Sequence, residues 1–179
     1  MIPIVFALLS ALGSEQPPPQ PPAGPVMAST IPDYERVKEF LLRSAEQMPE
    51  EHYAFKPTPA VRSFAQIVGH VAETQYVFCA AARNEPSPQP EEFEKTRTSK
   101  ARLVEALRAS FEYCDSAYKM TDAQATAMAK IPDWGERAPL SILVLNISHD
   151  NEHYGNIVTY LRLKNLVPPS SQPGSRRPR

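Results

Sequence analysis

The chain has 179 residues, enough for one hydrophobic core of ordinary size with tails, so a second domain is not expected. Its 19 basic and 20 acidic residues leave a formal charge of −1, which gives no overall field to draw a polyanion, and nucleic acid is not expected as a partner. The 6 glycines are few and the 20 prolines crowd into the ends and loops, a distribution that favours a mainly helical core.

The chain opens on an apolar run, Ile2 to Leu9, that passes through Ala11 to Gly13. Small residues at Ala11 and Gly13 fit what a signal peptidase reads, so residues 1–13 are expected to be a signal peptide cut after Gly13, although a basic n-region is missing. The run is too short for a stable membrane span, which takes about 20 apolar residues. The mature protein is then exported, periplasmic or extracellular; it is cytoplasmic if the leader is not a signal peptide. Residues 14–30 read as a proline-rich linker, 31–168 as the folded domain and 169–179 as a disordered tail.

Within the domain a first helix is expected from about Pro32 to Met48, with Val37, Phe40, Leu41, Ser44 and Ala45 on its inner face. The segment Glu50 to Arg62 holds two prolines and reads as a loop pinned by Tyr53 and Phe55. Ser63 and Gln66 have capping-box spacing, so a second helix starts there and carries Phe64, Ile67, Val68, Val71, Gln75, Phe78 and Ala82 inward. A third is expected from about Phe93 to Met120, with Leu103, Leu107, Phe111, Cys114 and Tyr118 at helical period. Thr121 and Asp122 can cap a short turn through Met128. Ile131 to Pro139 reads as an irregular connection with Trp134 sealing one end. The last helix, about Leu140 to Lys164, is the most apolar.

His149 and His153 lie one helical turn apart on the last helix, so their rings share a face. His70 sits mid-way along the second helix beside Gly69, which leaves room for a close neighbour. Three neutral imidazoles from two helices can hold one divalent ion and leave a position open for water or substrate, an arrangement catalytic in type. Imidazole suits zinc, nickel, iron or copper. Spacing alone leaves open that the three are ordinary hydrogen-bonded residues. Asn146 and Asn156 lie on nearly the same face and could orient a ligand or water, or bond across the core. Glu73 and Glu152 could each accept a ligand's N–H or act as a base, with solvated charge the simpler reading for Glu152. Asp150 reads as a surface residue, His52 as non-ligating, and Tyr76, Tyr154 and Tyr160 as packing residues, with Tyr154 able to line a pocket. The sequence contains no nucleophile elbow, phosphate loop or dinucleotide fingerprint.

The stretch HYAFKPTPAVRSFAQIVGHVAETQYVFC, His52 to Cys79, together with HDNEHYGNIVTYLRLKNLVPPSS, His149 to Ser171, resembles the DinB (damage-inducible, YfiT-like) metalloprotein family over about Ile31 to Ser171. The resemblance implies an all-α four-helix bundle of up-down-down-up topology, with His70, His149 and His153 as ligands of a divalent metal ion, zinc or nickel first and iron next. After the last ligand many members have Arg-Gly-Gln where this chain has Tyr154-Gly155-Asn156, so substrate contacts do not carry over.

The thiol-dependent members imply a small-molecule substrate, a low-molecular-weight thiol, and the work of a metal-dependent S-transferase or isomerase; activation of water for hydrolysis is open as well. The rival is a non-catalytic, metal-stabilised bundle acting as a binding or sensor module, as a homodimer for instance. The family topology also makes the second and third helices parallel. Cys79 and Cys114, at about 24 and 32 Å along them, then lie within about a turn and a half in height, so a disulfide is open to them alongside two buried thiols.

Overall fold

The computed structural model describes residues 24–88, 92–96 and 99–175. The expected signal peptide and its cleavage point, the linker up to residue 23 and the final residues 176–179 lie outside the described residues.

Four long helices, α1 (Pro25–Gln47), α2 (Phe64–Ala82), α4 (Lys100–Asp115) and α6 (Pro139–Leu163), enclose one core, with the short helices α3 (Phe93–Thr96) and α5 (Asp122–Thr126) between them. A small antiparallel hairpin joins β1 (Ala129–Ile131) to β2 (Gly135–Arg137). The chain is thus mainly helical. Helix α2 packs against both α4 and α6, and α1 closes the far side against the same two. Each long helix turns its apolar stripe inward. Leu41, Phe64, Leu103, Phe111, Ile142 and Ile157 are among the fully buried side chains.

Helix α1 starts at Pro25, well before the expected Pro32, which lies inside the helix. The reason is tertiary. The Asp122 carboxylate accepts the Val26 and Met27 N–H groups, each at 2.9 Å, and so caps the helix from α5. Met27 is fully buried, so the linker assigned to residues 14–30 is, from Pro25 on, part of the fold. A missing Pro32 N–H leaves one carbonyl of the preceding turn without its helical donor, a local cost that does not stop the helix.

The expected third helix is broken. Helix α3, the separate helix α4 and a 3-10 turn, Ala117–Lys119, replace it, and residues 97–98 lie outside the described residues. Phe93 is buried, and the Glu94 N–H donates to Glu73 Oε1 at 2.7 Å, so α3 is pinned on α2 while α4 starts afresh after Ser99. The hairpin begins at Ala129, just before the expected irregular connection of Ile131 to Pro139, and is turned within that connection by Asp133 at φ 64° and Gly135 at φ 78°. Trp134 packs on Phe78 there, with ring centroids 5.5 Å apart.

The tail is also corrected. Pro168 and Pro169 are buried, a 3-10 turn spans Pro169–Ser171, and the Ser170 N–H donates to the Tyr154 hydroxyl at 2.9 Å. Residues 169–175 therefore lie against α1 and α6 rather than forming a disordered end. Two helices start on reciprocal caps, the first expected from the Ser63 and Gln66 spacing and the second set at the expected Thr121. Ser63 with Gln66 and Thr121 with Gln124 each form a reciprocal capping box. Cys79 and Cys114 are joined as a disulfide with Cα atoms 5.3 Å apart, linking α2 to α4.

Candidate metal centre

Helix α2 carries His70 beyond its capping box, and α6 carries His149 and His153 one turn apart, so the three side chains meet where these helices face each other. His149 Nε2 lies 3.2 Å from His70 Nε2 and 3.0 Å from His153 Nε2. A nitrogen in an imidazole ring has one in-plane lone pair or one proton, so His149 Nε2 cannot bond both neighbours well. A tetrahedral ion with bonds of 2.0–2.1 Å would set its ligand nitrogens about 3.3 Å apart, close to the observed spacing. Among the described residues no carboxylate or thiol joins these three rings as a fourth donor.

Electrostatics favour the ligating form. Burial holds the His149 and His153 rings down to about 4, with neighbouring imidazoles adding to the effect. His70 is also lowered, by burial first and by the Arg62 guanidinium second, with Glu94 pulling the other way. All three rings are thus neutral near pH 7 and have lone pairs to offer. The Nδ1 atoms of His149 and His153 are buried without a hydrogen-bond partner among the described residues, whereas His70 Nδ1 lies 3.5 Å from Glu94 Oε2. The donor set fits a divalent cation.

One side of the centre opens. A cleft of about 690 Å³ is bounded by His153 and Glu94, by an apolar wall of Pro57, Ala60, Val61 and Ile67, and by the polar Arg62, Asn156 and Thr159. The Tyr160 hydroxyl donates to the Arg62 carbonyl at 2.6 Å and holds the loop before α2 in place.

The other singled-out residues fall in different places. Asn156 is exposed and lines the cleft, while Asn146 is fully buried and bonds across the core, donating to Gln75 Oε1 at 3.0 Å and accepting from Tyr118 at 2.8 Å. Glu152 is exposed, and Glu73 holds the α3 backbone rather than a histidine. His52 sits in the 3-10 turn Glu50–His52, outside the cluster. Tyr154 stacks on Phe40 and bonds Ser170, and Tyr76 packs between Phe93 and Tyr113.

Asp150 is a correction: expected on the surface, it is fully buried, with Oδ1 accepting from Gln75 Nε2 at 2.6 Å and Oδ2 unpartnered among the described residues. Burial pushes its carboxyl well above the ordinary range. Sequence reasoning also missed Glu94, the carboxylate nearest the cluster. Its signal was faint, the last of three glutamates in the run EEFE after a proline-rich loop, with nothing in the run to mark the one that faces Gly69.

A family model described as the DinB superfamily matches residues 33–157. No curated protein matches. Among solved structures, a DinB-like protein from Bacillus cereus ATCC 10987 is 15% identical with a TM-score of 0.68, covering 79% of this chain and 95% of its own. A DinB-like protein from Bacillus subtilis is 20% identical with a TM-score of 0.62, over 76% of this chain and 92% of its own. A conserved protein from Enterococcus faecalis is 18% identical with a TM-score of 0.63, over 79% and 98%. At these identities the likeness speaks for the fold, while the family match spans most of the folded region and contains all three histidines. The chain belongs to the DinB superfamily.

Proposed function

We propose that the protein holds one divalent metal ion through His70, His149 and His153 and uses the open side of that centre for chemistry on a small molecule. The observation that carries this is the convergence of three neutral Nε2 atoms on one point at the head of a cleft. A bound ion would act as a Lewis acid and lower the pKa of a thiol or water that coordinates it. The chain's own contribution is to keep three lone pairs aimed at that point, to exclude bulk water from the α2 and α6 side, and to receive an apolar body against Pro57, Val61 and Ile67.

Zinc or nickel is the preferred ion and iron the next, on ligand type. A low-molecular-weight thiol is the preferred substrate, which makes the protein a metal-dependent S-transferase or isomerase. The alternative, a metal-stabilised bundle that only binds, requires a sealed site with a fourth protein ligand. The cleft at His153 weighs against it.

The four long helices are read as an up-down-down-up bundle. Contacts along the α2 and α4 side support the parallel middle pair: Arg62 meets Glu94 before α4 begins, and Arg83 bonds Ser116 after it ends. No described helix is long and apolar enough to cross a membrane. Export to an oxidising compartment is proposed from the leader-like first residues, and the pairing of Cys79 with Cys114 supports it.

Metal content by mass spectrometry tests the centre. His70→Ala, His149→Ala and His153→Ala should each release the ion almost as completely as the triple replacement, with helicity by circular dichroism retained, and His52→Ala should keep it. Folded His149→Ala and His153→Ala proteins that hold stoichiometric metal would sink the proposal. A screen of thiols against electrophiles with the loaded protein then separates the enzyme from the binding module.

A further inference from the structure

The three rings are not supported alike. His149 and His153 have no partner at Nδ1 among the described residues, yet His70 faces Glu94, and Glu94 is itself fixed from three directions. Its N–H is held by Glu73 Oε1 at 2.7 Å, its Oε1 accepts from Arg62 Nε at 3.1 Å, and its backbone lies so close to α2 that a Cβ on Gly69 would stand 2.8 Å from both its Cα and its N. Four residues of α3 thus form a clip on α2 whose result is to bring one carboxylate oxygen to one imidazole nitrogen.

We propose that Glu94 is the positioning residue of the centre: it accepts the Nδ1–H of His70, selects the tautomer with a free Nε2 lone pair, and aims that lone pair at His149 and His153. The inference rests on the metal-binding reading above. It assigns Gly69 a role too, as the one residue without a side chain at the point where α3 must touch α2. The same residues, His70 with Glu73 and Glu94, could be mistaken for a second cation site. Their bonds argue otherwise, because Glu73 Oε1 is spent on a backbone N–H and a guanidinium already neutralises Glu94. A carboxylate behind a ligating imidazole raises ligand basicity and fixes ring orientation, and losing one typically costs about 10- to 100-fold in metal affinity.

Cobalt(II) titration of the full chain tests this, read both as affinity and as the visible absorption of the bound ion. Glu94→Ala should weaken cobalt binding by about 10- to 100-fold and change the band pattern, while Glu94→Gln, whose amide oxygen can still accept from Nδ1, should recover most of the affinity. Gly69→Val, which leaves Glu94 in the chain but forces α3 off α2, should match Glu94→Ala, and the double variant should be no weaker than either single one. One equivalent of cobalt should bind throughout. Wild-type affinity and spectrum in Glu94→Ala would overturn the inference and leave the metal centre intact. A Glu94→Gln loss as large as that of Glu94→Ala would also overturn it, making Glu94 a direct ligand. Two equivalents bound by the parent would overturn it in favour of a second site. Failure of the parent to bind cobalt, or undiminished binding by His149→Ala, would instead defeat the metal reading itself and take the inference with it.

Discussion

Helices α2 and α6 carry two polar clusters side by side, and the two are built on opposite logic. In the inner one, Asn146 donates to Gln75, Gln75 donates to Asp150, and Tyr118 donates to Asn146, so donors and acceptors alternate and nearly every group is satisfied from within. In the outer one, three Nε2 atoms face a single point. A chain of amides can close on itself, but three lone pairs cannot. The contrast distinguishes polar residues that hold the helices together from polar residues that await something, even where both recur at the same helical spacing on the same two helices.

The sharpest way to break that distinction is to damage the inner cluster and watch the outer one. Gln75→Leu strands Asn146 Nδ2 and Asp150 Oδ1 in the core and should cost about 2–4 kcal/mol in stability by denaturant unfolding, yet the variant should bind zinc stoichiometrically. Zinc loss without unfolding would mean that the clusters are one unit.

A smaller effect of opposite sign is expected at Asp150. Its folded pKa lies above the unfolded value, so the parent loses stability as pH rises from about 4, and Asp150→Asn, free of that penalty, should be more stable at neutral pH by about 1–2 kcal/mol. Thermal unfolding at pH 7.5 checks this. The advantage should vanish at pH 4.

A third test is the titration of the outer rings in the metal-stripped protein. With His149 and His153 held at about 4 in the fold and near 6.5 in the unfolded chain, the unfolded state binds more protons between these values. Stability should therefore fall as pH drops from about 6.5 to about 4 and then level off. Solvent screens part of the change at His149, which is half-buried, and less of it at His153, which is buried. Measuring it in Asp150→Asn removes the opposing slope of the carboxyl. Zinc should abolish it above pH 6.

Much of the scaffold could be read in advance because its cues are local. Ser63 with Gln66, Thr121 with Gln124 and the apolar period of α2 and α6 depend on neighbours within one or two turns. The histidines belong to the same class, since one turn separates His149 from His153. What escaped depends on distant partners. Asp122 starts α1 from across the fold, overriding a proline rule that set the start at Pro32. Glu94 is delivered by a helix too short to show a period, and Asp150 was hidden by its polar neighbours in HDNEH although it lies one turn from Asn146 on the buried side. The breaks around α4 and the three-residue strands likewise come from packing.

The bond between Cys79 and Cys114 spans 35 positions, and everything between them, including the segment that bears Glu94, lies inside a covalent ring. Scission of the main chain anywhere in that ring leaves both halves tethered through α2 and α4. A protease that nicks the protein makes a two-chain molecule with the same contacts, and the redox state of its surroundings then decides whether the wound is silent or separates the carboxylate from its imidazole.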